Sequence, residues 1–447
     1  MSRWARVALV ALALTAPAAA AESPAKPTER AHAAYRAGRY QEALEAARAA
    51  AAAAPHALDA VMLHADLAEF LGEFDEAGRV YAQAQGLAPK DMLIHYRVAV
   101  YAVRIGDYDR AVRELDAVLA LQPDEAQMLY RYAPTAVQKV LLRHYRLLDQ
   151  LTQVKIDVLM EKDDLAAARA LARGYGIVET DRDYCAEARA LQTQAGNRDD
   201  VFRAFRLAAL GQPRAADCIW WYGQWLTDEG YMRLGRLMVE EGTRATPSEA
   251  NKASGARYVR IRLGAKPVSK LAESLFLVGR QRLLRDGDHA GAGRLFDEAM
   301  RIAPHFTRPY NYRALIAWQR GDTAGAIGWL KRAVAADPDA WRSHRNLGQL
   351  LASLERWPES EKALKKTVEL FDDDAGARLA YARVLYALGR HDEFVQHARR
   401  ALAFAGGRAP DEVKDAATFL ARFERWGPGP ALPPAPDPRL LLGWIYD

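Results

Sequence analysis

Residues 38–55 read GRYQEALEAARAAAAAAP, and the spacing within this stretch decides the fold. Tyr40, Ala43, Leu44, Ala47 and Ala50 recur three or four apart, the period of one helix face. The small side chains of Ala43 and Ala50 let a second helix approach closely. Gly38 closes the preceding helix, at the position where a left-handed residue costs glycine least. Pro55 falls where the helix must stop. The unit is therefore helix, tight turn, helix, connector. One such pair cannot cover its own apolar face, so copies must stack.

Copies are present. Gly38, Gly72 and Gly106 are 34 residues apart, and Gly287, Gly321, Glu355 and Gly389 keep the same interval. An aromatic residue often follows two later (Tyr40, Phe74, Tyr108, Trp357) and a small one five later (Ala43, Ala77, Ala111, Ala292, Ala326). Proline often follows seventeen later (Pro55, Pro89, Pro123, Pro304, Pro338). A period of 34 with these markers predicts a helical solenoid. Such a fold grows along one axis, so a length of 447 residues implies one continuous array rather than three globular domains.

The middle of the chain keeps the register weakly. Gly196 and Gly230 are again 34 apart, Pro213 and Pro247 lie seventeen beyond them, and Gly223 sits at a small first-helix position. Asp163, with Leu165 and Ala168, marks a further unit. Two stretches fall outside the register, 126–148 and 250–272. The first spaces Val137, Leu141, Leu142, Tyr145 and Leu148 as an extra helix. The second, Gly255 to Lys270, alternates Tyr258, Arg260 and Arg262 with Val259, Ile261 and Leu263. A helix or irregular insertion is favoured there over a strand.

These repeats resemble the tetratricopeptide repeat (TPR) family, most closely over 24–125 and 273–408. The resemblance implies an all-α, right-handed superhelical solenoid of antiparallel helix pairs, its concave groove lined by the first helix of each pair. The expected organisation is an N-terminal TPR block over 22–125, degenerate helical repeats with two insertions over 126–272, and a C-terminal TPR block over 273–408. The last unit departs from the pattern, with Phe394 at a small position and Gly406 in place of proline. A capping helix is expected at 409–426, with Val413, Ala417, Leu420 and Phe423 on one face. The tail at 427–447 is Pro-rich and ends in an apolar segment, expected to fold back on the solenoid or to dock on another protein.

Residues 1–21 have the layout of a secretory signal peptide: Arg3 and Arg6, an apolar run from Val7 to Leu14, and Ala19-Ala20-Ala21 before Glu22. The expected destination is the periplasm of a high-GC bacterium, with no membrane span after signal removal. Losing Arg3 and Arg6 takes the formal charge from +5 to +3. That near balance is no nucleic-acid footprint.

The motifs of catalysis and of cofactor binding are missing. The sequence has no phosphate loop, no His-Glu-x-x-His, no Cys-x-x-Cys and no Gly-x-Ser-x-Gly. Gly287, Gly291 and Gly293 fall on a repeat turn rather than after a strand. His391 and His397 face different sides of a helix, and Asp372-Asp373-Asp374 reads as a solvated junction. The expectation is a non-enzyme without cofactor or metal.

A ligand would then lie in the groove. In resembling repeats the lining residues stand about ten, six, and three or two before the turn. Carried onto this chain, the N-terminal block presents His32, Tyr35, Arg36, Asp66, Glu69, Tyr96 and Arg104. The C-terminal block presents Arg308, Asn311, Leu315, Trp318, Gln319, Arg342, Arg345, Gln349, Arg383 and Tyr386, a basic and aromatic set without an acid. Arginine forks match carboxylates and flat rings offer stacking area, which suits an extended, partly acidic peptide or a polysaccharide. Trp220, in the cluster Trp220-Trp221-Tyr222 with Trp225, is a further stacking candidate against a core reading of the rest. The Lys/Asn/Arg carboxylate clamp of chaperone-binding TPR domains is incomplete: the matching positions hold Leu277, Gln281, Tyr312, Arg342 and Asn346, or Thr28, His32, Leu63, Leu93 and Arg97. The expected role is a non-catalytic periplasmic scaffold or adaptor for protein partners in envelope assembly or secretion. The alternative is a polysaccharide-binding component of exopolysaccharide export.

The only cysteines, Cys185 and Cys218, are 33 apart on neighbouring first helices. Stacked helices lie about 8–10 Å apart while a disulfide wants Cα atoms within about 7 Å. That comparison favours two buried thiols over a bridge and leaves both open.

Overall fold

The repeat pattern becomes helices almost residue for residue. The computed structural model describes residues 27–120, 147–179, 182–193, 197–212, 214–228, 231–264, 266–371, 374–405 and 411–427. The segments expected to hold the signal peptide, the apolar helix near 141, Gly406 and the C-terminal tail lie outside the described residues or almost wholly so.

The described helices fall into two compact units. Unit 1 holds α1 (Pro27–Arg36), α2 (Tyr40–Ala53), α3 (Leu58–Leu71), α4 (Phe74–Leu87), α5 (Met92–Ile105), α6 (Tyr108–Leu119), α7 (Leu147–Glu161), α8 (Leu165–Gly174), α9 (Tyr184–Thr193), α10 (Arg198–Gly211), α11 (Ala216–Asp228) and α12 (Met232–Ala245). Unit 2 holds α13 (Glu249–Tyr258), which runs into a π-helical turn at Val259–Leu263. The chain then returns to unit 1 for α14 (Lys270–Asp286). It completes unit 2 with α15 (His289–Ile302), α16 (Thr307–Gln319), α17 (Thr323–Ala336), α18 (Trp341–Ser353), α19 (Trp357–Leu370), α20 (Ala375–Ala387), α21 (His391–Ala405) and α22 (Asp411–Trp426). Among the described residues there is no strand, so the alternating stretch after Gly255 is helical, widened to π geometry before Gly264 ends it at φ 83°.

One turn is reused through both units. Gly72 N–H donates to Glu69 O and Glu73 N–H to Ala68 O, and the same two bonds close α1, α5, α7, α16, α18 and α20. This motif needs a left-handed residue and satisfies carbonyls that a helix end would otherwise orphan. Two of its residues are not glycine: Asp163 at φ 70° and Glu355 at φ 57°. Asp107, Asp164 and Asp322, one residue past the turn, then cap the next helix by accepting a backbone N–H.

Pairs close on small residues. Ala31, Ala65, Ala99, Ala314 and Ala382, each seven before a turn, are essentially inaccessible. In α11 the position is Gly223, where an added Cβ would stand 2.5 Å from Val239 N and 2.8 Å from Gly235 O, so the backbones of α11 and α12 nearly touch. The last unit is followed by the expected capping helix. Phe394 fills a site where other repeats have alanine, and it packs edge-on against Phe419 and Phe423 of the capping helix α22.

One element departs from the sequence-based organisation. α14, expected to open the C-terminal block, belongs to unit 1, where it packs on α5. Its end also differs from the other turns: the N–H groups of Gly287 and Asp288 both reach back to Arg282 O.

Candidate functional site

Neighbouring first helices carry equivalent positions side by side, so residues 34 apart share a face. In unit 2 those helices are α16, α18 and α20. Asn311 and Arg345 are equivalents, as are Leu315, Gln349 and Arg383. The structure buries this row more deeply than a solvated groove requires: Asn311 is 4% exposed, Arg345 6% and Gln349 6%. The side-chain oxygens Asn311 Oδ1 and Gln349 Oε1 are enclosed and have no hydrogen-bond partner among the described residues. A buried acceptor left unpaired costs about 1–3 kcal/mol.

The cationic residues are committed to different degrees. Arg345 Nη1 donates to Asp374 Oδ2 at 2.9 Å, a pair with both side chains about nine-tenths buried. Asp374 also caps α20 through Ala377 N–H. The set is therefore not acid-free, because the next connector brings a carboxylate to it. Arg342 lays its guanidinium over the Trp341 ring, 4.9 Å from the centroid. Arg383 is half-buried, and that burial pulls its guanidinium below the ordinary arginine range. Arg308 is half-buried, Gln319 is exposed and Leu315 is core.

The aromatic residues chosen for stacking do other work. Trp318 packs on the cluster of Ala314, Leu347 and Leu350. Tyr386 is enclosed by His391, Phe394, Phe419 and Phe423, with ring centroids 5.1–5.8 Å away. Its three-before-turn position is a groove site in an inner repeat, but in the last repeat the capping helix covers it. Trp220 sits half-buried in unit 1, edge-on to Trp221 at 5.4 Å.

Unit 1 arranges its first-helix face differently. Tyr81 from α4 places its hydroxyl between Asp66, at 2.8 Å, and Glu69, at 2.6 Å. Arg97 pairs with Asp66 at 3.3 Å and Arg104 with Glu69 at 2.8 Å. Burial drives the Tyr81 hydroxyl well above the usual phenol range, and both carboxylates push the same way. Burial likewise lifts Tyr96, and it raises Tyr35 to about 12, where Tyr35 packs on Tyr40 and Phe70. His32 is pulled down by burial and then by Arg36. Asp66, Glu69, Arg97 and Arg104 form one paired network around Tyr81, while the enclosed Tyr35 hydroxyl has no hydrogen-bond partner among the described residues. Sequence reasoning missed Arg97 as their ionic partner, although its position, nine before Gly106, is one off the expected spacing.

Cys185 of α9 and Cys218 of α11 are joined by a disulfide with Cα atoms 5.8 Å apart. The spacing that favoured free thiols is a distance between helix axes. Two Cα atoms on facing sides stand closer than the axes by two helix radii, about 4.6 Å in all.

Comparison with known proteins agrees with this architecture. The tetratricopeptide repeat family model matches residues 28–91, 96–139, 281–341 and 345–411, more than half of the chain. The chain belongs to the TPR family. TPR domains are protein-interaction scaffolds, and the two units are stacked helix pairs of that kind. No curated protein matches the sequence. Among solved structures, yeast Tom70 is similar over 89% of this chain and 95% of its own, at 13% identity and a TM-score of 0.28. A thermophilic TPR protein of Thermus thermophilus matches over 46% and 97%, at 19% identity and a TM-score of 0.28. YrrB, a TPR protein with an unusual peptide-binding site, matches over 48% and 98%, at 12% and 0.28.

Proposed function

We propose that this TPR protein is a non-catalytic adaptor that holds an extended segment of a partner protein on the first-helix face of unit 2. The observation that carries the reading is the pair of enclosed, unpaired acceptors, Asn311 Oδ1 and Gln349 Oε1, on adjacent first helices. Both oxygens are closed off in this state, so the reading requires the two amide side chains to turn outward as the segment seats, where its backbone N–H groups turn the cost of the acceptors into affinity. Half-buried Arg308, Arg342 in register with it one repeat on, and half-buried Arg383 suit carboxylates on the same segment. The proposed setting is the periplasm, in envelope assembly or secretion. The signal-like residues 1–21 support it, and so does a bonded cysteine pair, which persists in oxidising compartments. No helix among the described residues is long and apolar enough to cross a membrane.

The test is retention of native partners by the immobilised chain. Asn311→Leu with Gln349→Met removes both acceptors while keeping volume. Binding should fall at least tenfold with melting temperature unchanged. A variant that keeps every protein recovered by the unchanged chain would sink the reading. Retention of periplasmic glycan in place of protein would instead support a polysaccharide ligand.

A further inference from the structure

The first helices of unit 1 end in a row, and one helix from elsewhere in the chain lies along it. A helix C-terminus exposes carbonyls without partners and a partial negative charge. α14 answers these ends one after another. Arg282 Nη1 donates to Leu71 O at the end of α3, 3.2 Å. Ser274 Oγ donates to Arg104 O near the end of α5, 2.7 Å. Lys270 Nζ reaches both oxygens of Glu161, the last residue of α7, at 3.0 and 3.2 Å. Arg285 donates to the Tyr40 hydroxyl at 3.1 Å and lies over the Tyr40 ring just past the end of α1. The one anion in the set, Glu273, goes to the opposite kind of end: its Oε1 accepts the N–H of Met232 at 2.6 Å where α12 begins.

Like the repeat helices, α14 buries an apolar face, with Ala272, Leu275, Phe276 and Leu283 all at most 5% exposed. It adds charged and hydroxylic bridges to the helix ends, and these are enclosed at Lys270, Glu161 and Arg282 and exposed at Arg285. Lys270 is held above its ordinary range because Glu161 and Glu273 outweigh its burial. α14 also passes close to one turn, since a Cβ on Gly106 would stand 3.1 Å from Lys270 Cβ. The sequence does carry a mark of this. Seven before its turn, α14 has Arg280 where the well-formed repeats have alanine or glycine.

We propose that this row of helix ends is a docking surface for a cationic helix, and that α14 occupies it in cis and closes it. The helix it accepts carries Lys, Glu, Ser, Arg and Arg in the spacing of residues 270, 273, 274, 282 and 285. A partner that presents such a helix enters as α14 leaves. A tethered occupant acts at an effective concentration on the order of millimolar, so the unchanged chain is shut to weak competitors. This surface is separate from the acceptor face of unit 2, and neither reading depends on the other.

The full-length variant Lys270→Ala/Arg282→Ala/Arg285→Ala tests it, with a labelled synthetic peptide of residues 269–288 as probe. Amides of α14 should exchange at least tenfold faster than in the unchanged chain, while those of α16 to α21 keep their rates. The peptide should bind the variant at least tenfold more tightly than the unchanged chain, more weakly as salt rises, and a scrambled peptide should bind neither. A folded variant whose α14 amides stay slow overturns the proposal, and so does one that refuses the peptide. If the triple variant does not fold, Arg282→Ala alone is read in the same way, with a threefold threshold. Failure of that variant to fold also overturns the proposal, because a helix the unit cannot release is core rather than occupant.

Discussion

The first helices of unit 1 and those of unit 2 display similar polar residues and spend them differently. In unit 1, Asp66, Glu69, Arg97 and Arg104 answer one another around Tyr81, and their electrostatic potential is consumed within the fold. In unit 2 the row through Asn311 and Gln349 keeps acceptors unanswered. A paired face fixes the stack. An unpaired one destabilises it slightly and favours whatever supplies the missing donors. Residue type alone does not separate the two, because a buried arginine serves either purpose and only its neighbours tell which.

The sharpest way to break this comparison is Arg97→Ala. If unit 1 depends on its network, the change leaves Asp66 buried without its cation and should cost about 3–5 kcal/mol in urea unfolding. A loss below about 1 kcal/mol would mean that the network is ornamental. Next in size is the packing beneath the two faces. Gly223→Ala drives a Cβ to 2.5 Å from backbone, while Gly348→Ala meets a side-chain atom, Leu364 Cγ, at 2.5 Å and comes no nearer to backbone than 3.2 Å. Overpacking commonly costs about 1–3 kcal/mol, so Gly223→Ala should lie at the top of that range and Gly348→Ala near the bottom. Equal effects would show that rigidity of the neighbour does not decide the cost.

Acid should act first on unit 1. Arg48 hydrogen-bonds Glu76 through two nitrogens at 2.6 and 2.7 Å and holds its carboxyl at about 2, below an unfolded value of 4.5. The depressed value means stability that is complete above pH 4.5 and drains away as pH falls toward 2. Arg48 is nearly half exposed, so solvent screening leaves about 1–2 kcal/mol. Glu76→Gln should remove that part of the acid slope in a pH series of melting curves. An unchanged slope would assign the acid sensitivity to other carboxylates. The smallest expected effect lies in unit 2: Glu355→Gly relieves a left-handed residue and should stabilise by about 1 kcal/mol, read as a higher melting temperature.

Much of the fold was written in the sequence because its demands are local. A left-handed turn selects glycine, and even the exceptions Asp163 and Glu355 kept the register around them. The shared face of Val413, Ala417, Leu420 and Phe423 announced the capping helix. The site was less legible because it depends on distant partners. Asp374 reaches Arg345 from the next connector, Arg97 reaches Asp66 from the next repeat, and α22 covers Tyr386, none of which a spacing rule can weigh. α14 escaped for a different reason. Gly287 kept it in register, so periodicity assigned it to the array that follows, and the one local mark, Arg280 at the small position, does not point to the polar anchors at Lys270, Glu273 and Arg282.

The bond between Cys185 and Cys218 ties two neighbouring repeats, and pulling on the chain would expose that tie. A repeat array under tension should peel apart piece by piece and release slack in even steps. The 33-residue span between the cysteines cannot pay out while the bond holds. A stretching trace of the oxidised chain should therefore end about 110 Å short of the reduced one, at roughly 3.3–3.6 Å per residue. The clasp sits in the repeats whose markers are faintest, so it would hold the weakest stretch of unit 1 together under load.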